Sequence, residues 1–175
     1  MNKYPGIFLT LLLAVVCYQR NAVWKNDGTL WMDSAVKSPA KARGYNEIGL
    51  HYVNARDYDK ALGAFTRSLA LDAYQPQVYM NIGLAYEGQG RMELAMQSYE
   101  KAIAISPGDP IPYYNLGIIY YQYKKDLPKA LELFTKARDL NPLEPDVHQY
   151  IGNIHRDSGK QDLAEEEFRL FRELK

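Results

Sequence analysis

The chain has a single cysteine, Cys17, in 175 residues. That excludes an internal disulfide framework and a thiolate zinc cluster. It also lacks an excess of charge of either sign: 21 Lys and Arg stand against 21 Asp and Glu. A general nucleic-acid binder needs a basic surface to neutralise phosphates, so nucleic acid is not an expected partner. Histidine is scarce, with 3 in the chain, and no HExxH, P-loop, GxSxG or CxxC pattern occurs. No catalytic activity, metal or cofactor is therefore expected. At 47% hydrophobic and 24% charged residues the chain is too apolar to be intrinsically disordered.

Long apolar runs are also missing, with one exception. Ile7 to Cys17 reads IFLTLLLAVVC without a charge. With its flanks the apolar stretch covers residues 4–18. A spanning helix needs roughly 20 residues and a signal-peptide core roughly 7–15. The cleavage signal is poor, because Val16 stands where a small residue is wanted. An uncleaved anchor, a cleaved signal and a buried helix all remain readings of this segment. Residues 1–21 are expected to form an apolar anchor or signal-like helix that meets a membrane. Lys3 precedes the run, and Arg20 and Lys25 follow it, so flanking charge does not orient it.

What is abundant is tyrosine, 15 in all, and its spacing is periodic. Gly49, Gly83, Gly117 and Gly152 recur at intervals of 34, 34 and 35. Four residues before each stands Tyr45, Tyr79, Tyr113 or His148. Three after each stands Tyr52, Tyr86, Tyr120 or His155. Ala61, Ala95, Ala130 and Ala164 follow, and then Phe65, Tyr99, Phe134 and Phe168. Pro107 and Pro142 close the second and third units. Within one unit Tyr79, Ile82, Gly83 and Tyr86 share a single helical face. The small Gly83 and Ala95 mark places where two helix backbones approach closely. The extra residue of the third unit is expected in the turn Lys124-Lys125-Asp126.

This pattern resembles the tetratricopeptide repeat over residues 42–175. The resemblance implies an all-α, right-handed superhelical solenoid of helix–turn–helix repeats. The expected units are 42–75, 76–109, 110–144 and 145–175. Such units bury their apolar faces only against neighbours, so the ends need covers. Thr29 to Lys37 with Ser38-Pro39 resembles half a repeat, with Trp31 in the aromatic slot. Residues 22–41 are accordingly expected to form a capping helix, with Trp24 and Trp31 as anchors. The last helix carries Phe168, Phe171 and Leu174 on one side, a candidate docking face for a partner or a second copy. The opposing reading packs that helix back on its own unit.

The junction Arg20-Asn21-x2-Trp24-x6-Trp31 with Lys37-Ser38-Pro39-x3-Arg43 is similar to a bacterial arrangement. There the last membrane helix of polytopic O-mannosyltransferase-like proteins leads into a tetratricopeptide array. That resemblance implies an address at a bacterial inner membrane with the array on the periplasmic side. It does not imply catalysis.

His148 and His155 replace tyrosines of the other units and are expected to pack as aromatics. Glu165-Glu166-Glu167, with Arg169 and Arg172 nearby, reads as a solvated, ion-paired face. The resemblance places the concave surface on the first helix of each unit. Carried over by spacing, it nominates Asn46, Glu47, Met80, Asn81, Leu84, Tyr114, Asn115, Ile118, Tyr121 and Tyr150 as a partner-binding groove. Asn81 and Asn115 stand one repeat apart, and side-chain amides can both donate to and accept from a peptide backbone. Tyrosine and methionine beside them suit an adaptable binding surface. The family's clamp for acidic chaperone tails is not expected, because Asn46, Leu50, Tyr114 and Ile118 stand at most of its places and only Asn81 matches. The expected function is a non-enzymatic scaffold or assembly factor, tethered at a membrane, that binds a protein segment. The alternatives are an accessory domain of a membrane glycosyltransferase system and a constitutive subunit of a larger membrane complex.

Overall fold

The computed structural model describes residues 27–38 and 40–175. The expected anchor at 1–21, the start of the capping segment and Trp24 lie outside the described residues. Among the described residues no helix is long and apolar enough to cross a membrane. The architecture there is all-α: α1 (Asp27–Lys37), α2 (Ala42–Asn54), α3 (Tyr58–Leu71), α4 (Pro76–Gly88), α5 (Met92–Ile105), α6 (Pro110–Ile119), α7 (Leu127–Leu140), α8 (Pro145–Asp157) and α9 (Gln161–Leu174). A π-helical turn, Tyr120–Lys124, extends α6.

The helix limits follow from local chemistry. Pro76, Pro110 and Pro145 open their helices, where the missing N–H costs nothing. The side chains of Asp57, Asp109 and Asp126 accept hydrogen bonds from the backbone N–H of Lys60, Ile111 and Lys129. Inside each hairpin the turn closes by one recurrent bond. The amides of Asp57, Arg91 and Lys160 donate to the carbonyls of Tyr52, Tyr86 and His155. In each of these hairpins the residue before that amide has positive φ: Arg56, Gly90 and Gly159.

The third hairpin is one residue longer and keeps the same closure. Asp126 N–H donates to the Tyr120 carbonyl at 3.0 Å, and Lys125 takes the left-handed position with φ 57°. Lys125 precedes Ala130 by the same interval as Gly90 precedes Ala95. The extra residue is therefore absorbed by the π-helical turn and not by Lys124-Lys125-Asp126. The turn keeps the geometry of its siblings, and the helix end widens.

The chain divides into two compact units, residues 1–73 and 74–175. In the first, Ala35, Ile48 and Ala64 form a core on which Trp31, Met32, Tyr45 and Tyr52 pack. Ser68 Oγ ties α3 to α2 by donating to the Ala42 carbonyl at 2.8 Å. The second unit holds hairpins α4–α5, α6–α7 and α8–α9. Ala95, Tyr99, Leu116, Ile119 and Leu133 form one core cluster there. Ala130, Phe134, Ala137, Val147, Ile151 and Ile154 form another. Each cluster draws on two consecutive hairpins, so neighbouring repeats bury each other's apolar faces.

The repeat glycines meet aromatic rings, not a neighbouring backbone. A Cβ at Gly83 would lie 2.4 Å from the ring of Tyr99, and at Gly152 2.7 Å from the ring of Phe168. The periodic glycine and the periodic aromatic are thus two halves of one contact. Tyr99 and Phe134 are completely buried. Full burial of such a side chain stabilises by about 1.5–3 kcal/mol.

Candidate functional site

The nominated residues fall into two groups. Asn46 and Glu47 are half-buried on α2 of the first compact unit. The others stand on α4, α6 and α8 of the second unit, or in the π-helical turn. Met80 packs against the cluster around Tyr99. Tyr114, Ile118, Tyr121 and Tyr150 pack against the cluster around Phe134. Leu84 is 37% exposed.

The paired asparagines do not form an open ladder. Asn81 is buried, 5% exposed. Asn115 is half-buried, and its side chain faces the hydroxyl of Tyr99. The same hydroxyl donates to Glu87 Oε1 at 2.6 Å. Burial pushes the Glu87 carboxyl above its ordinary range, and the Tyr99 hydroxyl partly offsets this. Burial, with the facing Glu87 carboxylate, raises the Tyr99 phenol. Asn115 is thus turned toward the preceding hairpin.

One repeat later the equivalent place holds Tyr150, which stacks on Phe134 with centroids 4.8 Å apart and planes 9° apart. Tyr114 meets both rings edge-on, at 5.8 Å to Phe134 and 5.7 Å to Tyr150. Tyr121 meets Tyr150 edge-on at 6.0 Å and donates its hydroxyl to Asp157 Oδ2 at 2.7 Å. Edge-to-face and offset contacts of this kind suit the aromatic quadrupole. The widened turn carries Tyr121, so the extra residue of the third hairpin bears on this network.

Beside it opens a cavity of about 280 Å³ between the start of α6, the end of α7 and the start of α8. Tyr114, Asn115, Ala137 and Val147 line it together with Ile111, Glu144 and Asp146. Ile111 is 49% exposed. Burial raises the Tyr114 phenol, with Tyr150, Asp146 and Glu144 adding to the effect. Ile111 and Asp146 were not nominated from sequence. They stand at equivalent places in the first turns of α6 and α8, and the candidate ridges began one turn later.

At the other end, the expected solvated face is only partly so. Glu165 and Glu166 are exposed, but Glu167 is buried. Its carboxylate lies 2.6 Å from His148 Nδ1 and accepts from Arg138 Nη1 at 3.2 Å. His148 Nε2 lies 3.2 Å from the Pro142 carbonyl. Tyr113 makes the matching contact one repeat earlier, its hydroxyl donating to the Pro107 carbonyl at 3.2 Å. His148 thus fills the tyrosine slot and keeps its hydrogen bond, so it is more than a packing ring. His155 Nδ1 is buried without a hydrogen-bond partner among the described residues. Phe168, Phe171 and Leu174 are half-buried. Arg156 lies over the Phe168 ring at 5.9 Å and Lys175 over Phe171 at 4.9 Å. Both rings of that face carry a cation. Among the described residues no group of three or more His, Cys, Asp or Glu side chains is placed to hold a metal ion.

Residues 46–110 match the tetratricopeptide repeat family. No curated protein matches the chain in sequence. Among solved structures, residues 41 to the end of MamA from Desulfovibrio magneticus RS-1 superpose with a TM-score of 0.72 at 24% identity, covering 99% of this chain and 97% of that one. A double mutant of MamA RS-1 gives 0.73 at 25% identity, covering 95% and 92%. PilF of Pseudomonas aeruginosa gives 0.78 at 21% identity, covering 94% and 74%. The tetratricopeptide repeat thus accounts for residues 46–110, and the described residues share the fold of these solved structures.

Proposed function

We propose that the chain is a non-enzymatic protein-interaction scaffold or assembly factor. Its working surface is the aromatic and aliphatic face of α4, α6 and α8, and it captures a segment of a partner protein. One observation carries this reading. Asn81 is buried and Tyr121 is committed to an internal hydrogen bond, while Leu84, Tyr114 and Ile118 keep partly open apolar surface and Tyr114 lines a formed cavity. Surfaces rich in tyrosine and aliphatic side chains bury area with little loss of side-chain entropy. Recognition here rests on apolar packing, and not on the amide ladder.

The tether belongs to the same proposal. The uncharged run Ile7–Cys17 supports anchoring of residues 1–21 at a bacterial inner membrane. The junction around Trp24 and Trp31 supports a periplasmic array, and with it the reading as an accessory domain of a membrane glycosyltransferase system.

The test is a crosslinked pull-down from solubilised membranes, read by mass spectrometry. It compares wild type with a Leu84→Ala, Tyr114→Ala, Ile118→Ala variant whose helical circular dichroism is unchanged. Loss of one dominant partner is the expected result. Retention of that partner sinks the groove reading. Loss in a Phe168→Ala, Phe171→Ala, Leu174→Ala variant instead moves the contact to the last helix. A multi-span transferase as the captured partner selects the accessory-domain reading.

A further inference from the structure

The cavity beside Tyr114 combines apolar lining with acidic groups. Its floor and walls are apolar, from Ile111, Tyr114, Ala137 and Val147. Its rim carries two carboxylates, Glu144 and Asp146. Among the described residues neither is ion-paired, in contrast to Asp33, Asp57, Glu93, Glu132, Asp157 and Glu167. Glu144 occupies the N-cap place of α8, yet its side chain makes no capping bond. Asp109, the matching cap of α6, does cap. Asp146 in the first turn gains from the helix dipole, which accounts for one negative charge there. The dipole does not account for a second carboxylate that leaves its cap unmade and faces a cavity. The two charges also reach the Tyr114 hydroxyl on the opposite wall, where both disfavour the phenolate.

We propose that this cavity takes the side chain of an arginine from the bound partner segment. The aliphatic stem lies along Ile111 and Val147, and the guanidinium sits at the rim between Glu144 and Asp146. This rests on the scaffold reading and deepens it by naming the chemistry of the partner. Three features select arginine. A long side chain with an apolar stem and a charged tip matches an apolar floor beneath an acidic rim. A planar guanidinium suits an aromatic wall and offers a fork of donors to carboxylates. Asn141 adds polar lining that a purely aliphatic guest would leave unsatisfied.

The test uses the full chain in nanodiscs with labelled isoleucine and valine methyls and tyrosine rings. The probe is N-acetyl-arginine amide, with N-acetyl-citrulline amide as its uncharged isostere. The expected result is a saturable shift of Ile111, Val147 and Tyr114 signals for the arginine probe. Citrulline should bind at least about tenfold more weakly, the effect of losing one charge-assisted hydrogen bond. Glu144→Gln with Asp146→Asn should abolish that difference. Equal shifts from both probes, or no shift at these three residues, overturn the proposal. The same double variant then enters the pull-down. If it keeps the partner that the Leu84, Tyr114, Ile118 variant loses, the arginine inference fails and the scaffold reading stands. If both variants keep the partner, both readings fail.

Discussion

The second and third hairpins are built on one plan and differ in the chemistry of a single slot. In α4–α5 the slot holds Tyr99, whose hydroxyl must be satisfied where no water reaches. Glu87 accepts its hydrogen bond, and Asn115 of the next hairpin faces it. In α6–α7 the slot holds Phe134, which makes no such demand, and Tyr150 of the next hairpin stacks on it. Tyr121, at the place of Glu87, then turns outward to Asp157 in the next hairpin. At these two junctions the buried hydroxyl is matched by a polar side chain and the plain ring by another ring. Tyr114 of the aromatic junction also lines the cavity.

The sharpest way to break this comparison is at the glycines beneath the two rings. A Cβ at Gly83 falls 2.4 Å from Tyr99, but at Gly117 only 3.0 Å from Phe134. Overpacking costs about 1–3 kcal/mol, against about 1 kcal/mol gained in helix propensity. Gly83→Ala should lose about 2 kcal/mol in urea unfolding and Gly117→Ala close to nothing. Equal losses would show that the two slots are equally tight.

The hydroxyl itself comes next. Tyr99→Phe leaves the half-buried Glu87 without its partner and should cost about 1–2 kcal/mol. Adding Asn115→Tyr rebuilds the ring pair of the third hairpin. The double variant should be more stable than the two single losses predict by addition. Strict additivity would mean that the slots do not communicate.

The turns separate the hairpins by a smaller margin. Gly90 takes φ 73° without strain, whereas Lys125 holds φ 57° with a side chain. Lys125→Gly should stabilise by about 1 kcal/mol and Gly90→Ala should destabilise by a similar amount, both read as shifts in the urea midpoint.

Protonation at Glu87 is expected to give the smallest effect. Its folded pKa is raised, so the folded state holds this proton more firmly than the unfolded chain does. That contribution is present below the unfolded value of about 4.5 and is lost as pH rises through the folded value. Glu87→Gln should therefore match wild type in melting temperature at pH 4 and exceed it by pH 7. No change in the gap across that range would remove burial as the dominant influence on Glu87.

Much of this was legible in the sequence, and the parts that were not have definite causes. The 34-residue spacing of glycine, tyrosine and alanine gives the helices, because each slot is a small or large volume required at one helical phase. Spacing does not reveal what a hydroxyl needs. Asn81 and Asn115 read as a ladder, yet the first is buried and the second answers Tyr99; the contrast between Tyr99 and Phe134 was the available signal. The third hairpin's extra residue reads as a longer turn, because the sequence puts Lys125 where the sibling turn has Gly90. Glu167 gave no sign of burial within a run of three glutamates, since its partners His148 and Arg138 belong to two other helices. Ile111 and Asp146 lay one turn before the slots that were considered.

The π-helical turn at Tyr120–Lys124 acts as an expansion joint. An added residue in a regular helix rotates everything beyond it by about 100°. Here the widened turn takes up that rotation before Lys125, and α7 sets out in the phase of its siblings. Chain length and the aim of later helices are thus uncoupled at this point. The joint also aims Tyr121 at Tyr150 and Asp157 of the next hairpin.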